Sequence, residues 1–179
     1  MNILLHVCCG QCLIYPYQTL LKEDHKVTGF FFNPNIHPYT EHKMRMDALR
    51  GYVESITKDE AIKMIYKDDQ RLKEFLRGAV DTEDRCSFCY EFRLNETAKT
   101  AKLENFDMFT TTLLGSPHQK HDVIKEVGER VGKKHGVSFY YEDFRPGFNN
   151  ARSVWRETKL YRQKYCGCIF SEMERYNKQ

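Results

Sequence analysis

Seven cysteines fall into three tight groups in this chain: Cys8, Cys9 and Cys12; Cys86 and Cys89; Cys166 and Cys168. Random scatter would leave isolated cysteines, and there are none. A buried free cysteine serves as a small hydrophobe singly, not in three clusters. Soft thiolates gathered in pairs are metal ligands or redox groups. Cys9–Cys12 repeats the C-x2-C spacing of Cys86–Cys89, whose two sulfurs that spacing sets on one face at the start of a helix. The positive end of that helix is expected to lower their pKa toward thiolate.

The metal is open between zinc and an iron–sulfur cluster. A structural zinc site gathers four ligands in a compact knuckle. These groups lie far apart in sequence, which favours a cluster. Two familiar cluster spacings are absent: C-x3-C-x2-C would need a cysteine where Tyr15 stands, and C-x2-C-x2-C does not occur. Cys166 and Cys168 flank a single glycine. A disulfide across one residue is strained and easily reduced, so this pair reads as a redox couple or as two further metal ligands. The same segment is basic and aromatic. Arg152, Arg156 and Lys159 recur at helical spacing, followed by Tyr161, Arg162 and Tyr165. That composition suits a nucleic-acid strand and equally a solvated helix.

The elements that must position these groups read as alternating strands and helices. Strands are expected at 2–7, 26–32, 62–66, 106–114 and 137–141. Helices are expected at 13–22, 40–56 with Thr40 as cap, 70–77, 87–103, 117–136 and 150–164. Ser116, Pro117 and Gln119 read as a capping box, whose free amides would form an anion site. The alternation implies a Rossmann-like α/β fold with a mainly parallel sheet and helices on both faces. Ligands in such sheets bind beyond the carboxyl ends of the strands, where Cys8 and Cys9 fall. His6, alone on the first strand, reads as a hydrogen-bonded core residue rather than a ligand.

A length of 179 residues suits a single domain over 1–179, with a basic helix and C-x-C segment from about 150 to 179. The 41% hydrophobic content is enough for a core, and no stretch approaches the roughly 20 apolar residues of a membrane span. Residues 1–5 carry no basic stretch before their apolar run, so no secretory signal is expected. A cytoplasmic location, where thiols stay reduced, follows. The formal charge of +3, from 28 basic and 25 acidic residues, permits a local nucleic-acid patch without demanding one.

Five segments, LLHVCCGQC, FFNPNIHPYTEHKMR, RCSFCYEFRL, FTTTLLGSPHQ and LYRQKYCGCIFS in that order, resemble the QueH-type epoxyqueuosine reductases over nearly the whole length. The family often has Ala-Pro where Gly10 and Gln11 stand, a change confined to a local turn. The resemblance implies an adenine-nucleotide-hydrolase-like (HUP-type) fold. The Ser-Gly-Gly phosphate loop of the related tRNA-thiolating ATP pyrophosphatases is missing, since Cys8-Cys9-Gly10 stands there, and ATP use is not expected. The resemblance further implies cobalamin-independent, two-electron deoxygenation of epoxyqueuosine to queuosine at the wobble position of tRNA, the last step of queuosine synthesis. It implies a [4Fe-4S] cluster on Cys8, Cys9, Cys86 and Cys89 with a second mononuclear iron beside it. Cys12 is then a candidate ligand of that iron, Asp107 or Asp143 a candidate oxygen ligand, and Cys166 with Cys168 a redox pair cycling near the site. The implied partners are tRNA carrying epoxyqueuosine in its anticodon loop and an unidentified electron donor. Two other readings stand beside this one: a zinc-stabilised RNA-binding module without catalysis, and a tRNA sulfurtransferase with Cys166 or Cys168 as persulfide carrier.

Overall fold

Residues 3–6 of the NILLH strand are buried without alternation, the pattern of a strand covered on both faces. A computed structural model, which describes residues 1–56 and 61–177, places it at the centre of a five-stranded parallel sheet. In chain order the elements are β1 (Asn2–His6), α1 (Gly10–Lys22), β2 (Lys26–Phe31), α2 (Tyr39–Ser55), β3 (Lys63–Tyr66), α3 (Leu72–Val80), α4 (Arg85–Leu103), β4 (Met108–Thr111), α5 (His121–His135), β5 (Ser138–Phe139), α6 (Phe148–Glu157) and α7 (Ile169–Tyr176). The strand order is β3-β2-β1-β4-β5, and Leu4 of β1 lies between Thr28 and Phe109. Right-handed crossovers put α1 and α2 on one face of such a sheet and α4 and α5 on the other. The direction of winding reverses between β1 and β4, which opens a crevice at their carboxyl ends.

The main core joins Ile3, Leu5, Phe30, Leu94, Phe109 and Ile124 across the sheet. A smaller cluster of Ile14, Ala48, Ala151 and Trp155 fastens α6 to α1 and α2. Gly10 permits that approach: a Cβ there would lie 2.2 Å from the Trp155 ring.

Four expectations are corrected. The strand expected at 106–114 ends at Thr111, because the Thr111 hydroxyl accepts the Leu113 amide at 3.2 Å and Thr112–Gly115 closes into a 3-10 turn. The capping box does not form: α5 starts at His121, Ser116 Oγ accepts the His118 amide at 3.3 Å, and Gln119 Oε1 accepts the Tyr90 hydroxyl at 2.9 Å instead. The anion site expected at Ser116 therefore has no helix behind it. Helix α2 begins at Tyr39 behind Pro38, so Thr40 lies inside it. The helix expected at 150–164 ends at Glu157, where the Thr158 hydroxyl donates to the Trp155 carbonyl at 2.7 Å and Lys159 takes a left-handed backbone, φ 58°. Residues 158–168 instead form a non-helical strap leading into α7. Of the C-terminal segment, 178 and 179 lie outside the described residues.

An ion cluster ties α4 to the chain after β3. Glu96, 4% exposed, takes hydrogen bonds from Lys67 and, at 3.1 Å, from Arg71. Burial pushes the Glu96 carboxyl up, but the Lys67 hydrogen bond and the Arg71 charge outweigh it and hold the carboxyl below its ordinary value. A depressed folded-state pKa stabilises the fold above the unfolded value and loses that stabilisation as pH falls through the folded one. Glu96→Gln is expected to cost about 1–3 kcal/mol at pH 7, with the gap to wild type closing on acidification below about pH 4.3. Urea unfolding of both proteins at pH 7, 5 and 3.5 checks this; a gap constant with pH would contradict it.

Candidate metal centre

β1 delivers its cysteines to the crevice directly. The Val7 amide still pairs with Phe30 O at 2.8 Å, and the chain then leaves the sheet. The Cys8 amide donates to Thr112 Oγ1 at 3.1 Å, and that hydroxyl donates to Cys8 Sγ at 3.3 Å, so the β4 exit fixes Cys8. Cys9 caps α1, its sulfur accepting the Cys12 amide at 3.3 Å. The Cys9 and Cys12 sulfurs lie 2.7 Å apart, Cys8 and Cys9 3.9 Å, and all three fall within 4.8 Å of one another. Three soft donors this close can share one metal ion or one cluster. Cys86 and Cys89 stand on the first turns of α4, which Asp84 caps by accepting the Cys86 and Ser87 amides at 3.1 and 3.2 Å.

A cavity of about 530 Å³ opens over Cys8 and Cys12, with Asn33, Arg152 and Arg162 among its walls. A second, of about 190 Å³, is lined by Cys86, Cys89 and Cys168. Asn35, Arg93, His118, Gln119 and Cys166 line both. All three cysteine groups thus converge on two adjoining cavities at the switch point of the sheet.

Electrostatics in the first group are uneven. Hydrogen bonds from Cys12 and Cys9 hold the Cys8 thiol well below its ordinary pKa, against its burial. Facing Cys8 and Cys9, the Cys12 thiol is held well above. One thiolate is favoured over three, and the group titrates as a unit. The lowering expected at Cys86 and Cys89 from the helix end is reversed. Burial raises both, Cys89 to about 12, with Arg93 opposing at Cys89 and Arg85 at Cys86.

His6 is the core residue the sequence suggests: fully buried, bonded to Thr111 Oγ1 at 2.9 Å and Phe32 O at 3.2 Å, its pKa pushed down to about 4 by burial. The two carboxylate candidates are corrected. Asp107 precedes β4 at the amino end of the sheet, where it accepts the Asn2 amide at 2.7 Å, far from the crevice. Asp143 is engaged by Arg145 at 2.8 and 2.6 Å and lines neither cavity.

The strap is clamped by α2. Arg45 is buried: its Nη1 and Nη2 donate to Cys166 O at 2.8 Å and Tyr165 O at 3.0 Å, while Nε donates to Glu41 at 2.7 Å. The His37 amide donates to Gly167 O at 2.8 Å. Gly167 has φ +150°, and a Cβ there would lie 3.0 Å from Asn35 Nδ2. Cys166 and Cys168 are free thiols; Gln119 Nε2 donates to Cys166 Sγ at 3.5 Å, and Cys168 caps α7 through the Ser171 amide at 3.4 Å. The expected basic patch divides: Arg152 and Arg162 line the large cavity with Lys164 and Arg175, while Arg156 and Lys159 are exposed outside it. Sequence reasoning missed Arg93, Arg45 and Glu41. The i,i+4 spacing of Glu41 and Arg45, and Arg93 one turn after Cys89, were the available signals.

A family model described as epoxyqueuosine reductase QueH matches residues 3–174. A protein named epoxyqueuosine reductase QueH from Dehalococcoides mccartyi is 33% identical over 178 residues, 99% of this chain and 96% of that protein. Its namesake from Thermotoga maritima is 31% identical, with 99% and 93% covered. A crystal structure described as a predicted subunit of tRNA methyltransferase from Methanocaldococcus jannaschii shares the fold at TM-score 0.53 and 11% identity, over 88% of this chain and 75% of that one; at that identity the likeness speaks for the fold alone. Since the matched span takes in all three cysteine groups and the relatives align end to end, the chain belongs to the epoxyqueuosine reductase QueH family.

Proposed function

We propose that this protein is an epoxyqueuosine reductase: an oxidoreductase that removes the epoxide oxygen of epoxyqueuosine in tRNA and leaves queuosine, without cobalamin. The observation that carries the reading is the convergence of three cysteine groups on two cavities with shared walls, in a chain of that family. The whole chain acts as one domain, in the cytoplasm, and among the described residues no helix is long and apolar enough to cross a membrane.

Cys8, Cys9, Cys86 and Cys89 hold a [4Fe-4S] cluster, and Cys12 holds a second iron. Soft thiols, with Cys8, Cys9 and Cys12 within 4.8 Å of one another and Cys86 and Cys89 on the adjoining cavity, are the donor type such a centre needs. When bound, the centre would pass electrons on and offer a Lewis-acid contact to the epoxide oxygen. The chain's own residues do the rest. The large cavity takes the modified base out of the flexible anticodon loop, and Arg152 and Arg162 at its walls hold neighbouring phosphates. Cys166 and Cys168 each release a proton and an electron on joining as a disulfide. Two electrons and two protons are what the epoxide needs to become an alkene and water. An external electron donor then reduces the disulfide.

The test is anaerobic, iron-loaded protein mixed with tRNA carrying epoxyqueuosine and a reductant, with mass spectrometry of the digested nucleosides. Loss of one oxygen is expected. An untouched epoxide with a competent donor, in a protein that carries zinc in place of iron, would favour the RNA-binding module instead.

The divided basic patch gives a further expectation. Arg162→Glu at the cavity wall should weaken tRNA binding about tenfold or more and reduce the salt slope by about one. Arg156→Glu, outside the cavity, should do distinctly less. Binding titrations at several salt concentrations compare them, and equal effects would move the phosphate path off the cavity.

A further inference from the structure

Arg93 is the largest fully buried side chain among the described residues, 1% exposed, on α4 one turn beyond Cys89. A guanidinium keeps its charge in any protein, and a buried charge is strongly unfavourable unless an anion faces it. The usual anion is a carboxylate. Among the described residues none pairs with Arg93: buried Glu41 is taken by Arg45, and buried Glu96 by Lys67 and Arg71. Arg93 Nε donates to Cys89 O at 3.2 Å, and Nη2 has no partner.

The two cavities that this cation lines hold six of the seven cysteines. Arg93 lines the large cavity with Cys8 and Cys12, the small one with Cys86, Cys89 and Cys168, and both with Cys166. Burial works against its charge, and the thiols of Cys89, Cys166 and Cys8, one from each cysteine group, work for it.

We propose that Arg93 is the built-in counter-cation of the thiolate–metal centre, compensating its negative charge and raising its reduction potential. The inference rests on the reading of the site as such a centre. Four or more thiolates give the centre a net negative charge, and each added electron increases it. A fixed positive charge in a poorly screened interior stabilises the reduced form more than the oxidised one. It also favours the deprotonated ligands that metal binding requires. Arg93 acts through the centre, so it is a positioning residue.

The experiment compares iron content and midpoint potential in anaerobically purified, metal-loaded wild type, Arg93→Gln and Arg93→Lys. Removing the charge in Arg93→Gln should lower the reduced-to-oxidised ratio at the wild-type midpoint at least tenfold, 59 mV for a one-electron couple. Arg93→Lys keeps the charge and should keep both iron and potential close to wild type. A Gln variant with full iron and an unshifted potential overturns the proposal, as does one whose only defect is a higher KM for tRNA, which would make Arg93 a substrate contact. If the Gln variant does not fold, Arg93→Lys decides: recovery of fold, iron and potential supports charge compensation. A Lys variant that folds but loses its iron, or loss of fold in both, assigns Arg93 a structural role and overturns it. Failure of the reductase reading is separate, because it appears in wild type as a loaded, reduced protein that leaves the epoxide untouched.

Discussion

Cys9→Ala is expected to leave a colourless protein whose iron falls by at least about ten- to a hundredfold and whose turnover is lost. Even changes behind the ligands weaken metal sites by that factor, and Cys9 is assigned as a ligand. Its sulfur lies 2.7 Å from Cys12 and 3.9 Å from Cys8, so its removal takes the middle donor from the tightest sulfur group. Cys9 also caps α1, and an alanine there would cost about 0.5–2 kcal/mol through the lost cap alone. Cys9→Ser separates the two roles. A serine oxygen keeps an acceptor for the Cys12 amide but is a poor ligand for a soft metal centre. Both variants should therefore lose iron, while the serine variant keeps near-wild-type thermal stability in the metal-free state. Cys89→Ala, from a residue with no capping role, should lose iron as fully. Iron and sulfide analysis with visible spectra under anaerobic conditions decides; iron retained in Cys9→Ser would remove Cys9 from the ligand set.

The cysteine groups were legible because clustering is a property of sequence. β1 delivers Cys8 and Cys9 to the crevice whatever else folds around them, since a buried run followed by Gly10 ends a strand there. The carboxylate candidates failed for different reasons: Asp143 is taken by Arg145, whereas Asp107 fails by topology. Asp107 is adjacent to a strand, but at its amino end, and the sheet is parallel, so every site-bearing end lies on the other side. The run FTTTLL looked extended to its end because its threonines are β-branched, yet the Thr111 hydroxyl bonds locally and turns the chain, the competition such side chains bring to any element. Gln119 failed as a capping partner because Tyr90 and Cys166, remote in sequence, take its side chain. Arg93 was invisible for the same reason: its significance lies in the missing carboxylate, and absence of a partner exists only in three dimensions. The strap shows the converse. Its basic and aromatic residues looked helical, but Arg45 and His37 hold the backbone of Tyr165, Cys166 and Gly167 in a bent, non-helical path.

Cys166→Ser is expected to keep iron and visible spectrum and to lower steady-state deoxygenation at least about a hundredfold, a modest loss for a group that takes part in the chemistry. Cys166 is exposed and lines both cavities, so it can reach substrate and external reductant alike. Its position owes little to its own sulfur: Arg45 holds the carbonyl, and Gly167 is fixed against Asn35 and His37. Serine should therefore leave the strap in place. Without one thiol, the remaining Cys168 cannot close an intramolecular disulfide, and the two-electron, two-proton delivery stops. Cys168→Ser should match Cys166→Ser in rate, and the double variant should be no worse than either, because two groups that act as a unit are lost together. Thiol counting after one turnover in wild type should find two fewer free thiols than before, recovered on adding reductant. If the rates are unchanged and the thiol count holds, the pair is not the electron relay. If instead iron falls with either serine, Cys166 and Cys168 are ligands of the centre and the electrons arrive by another path.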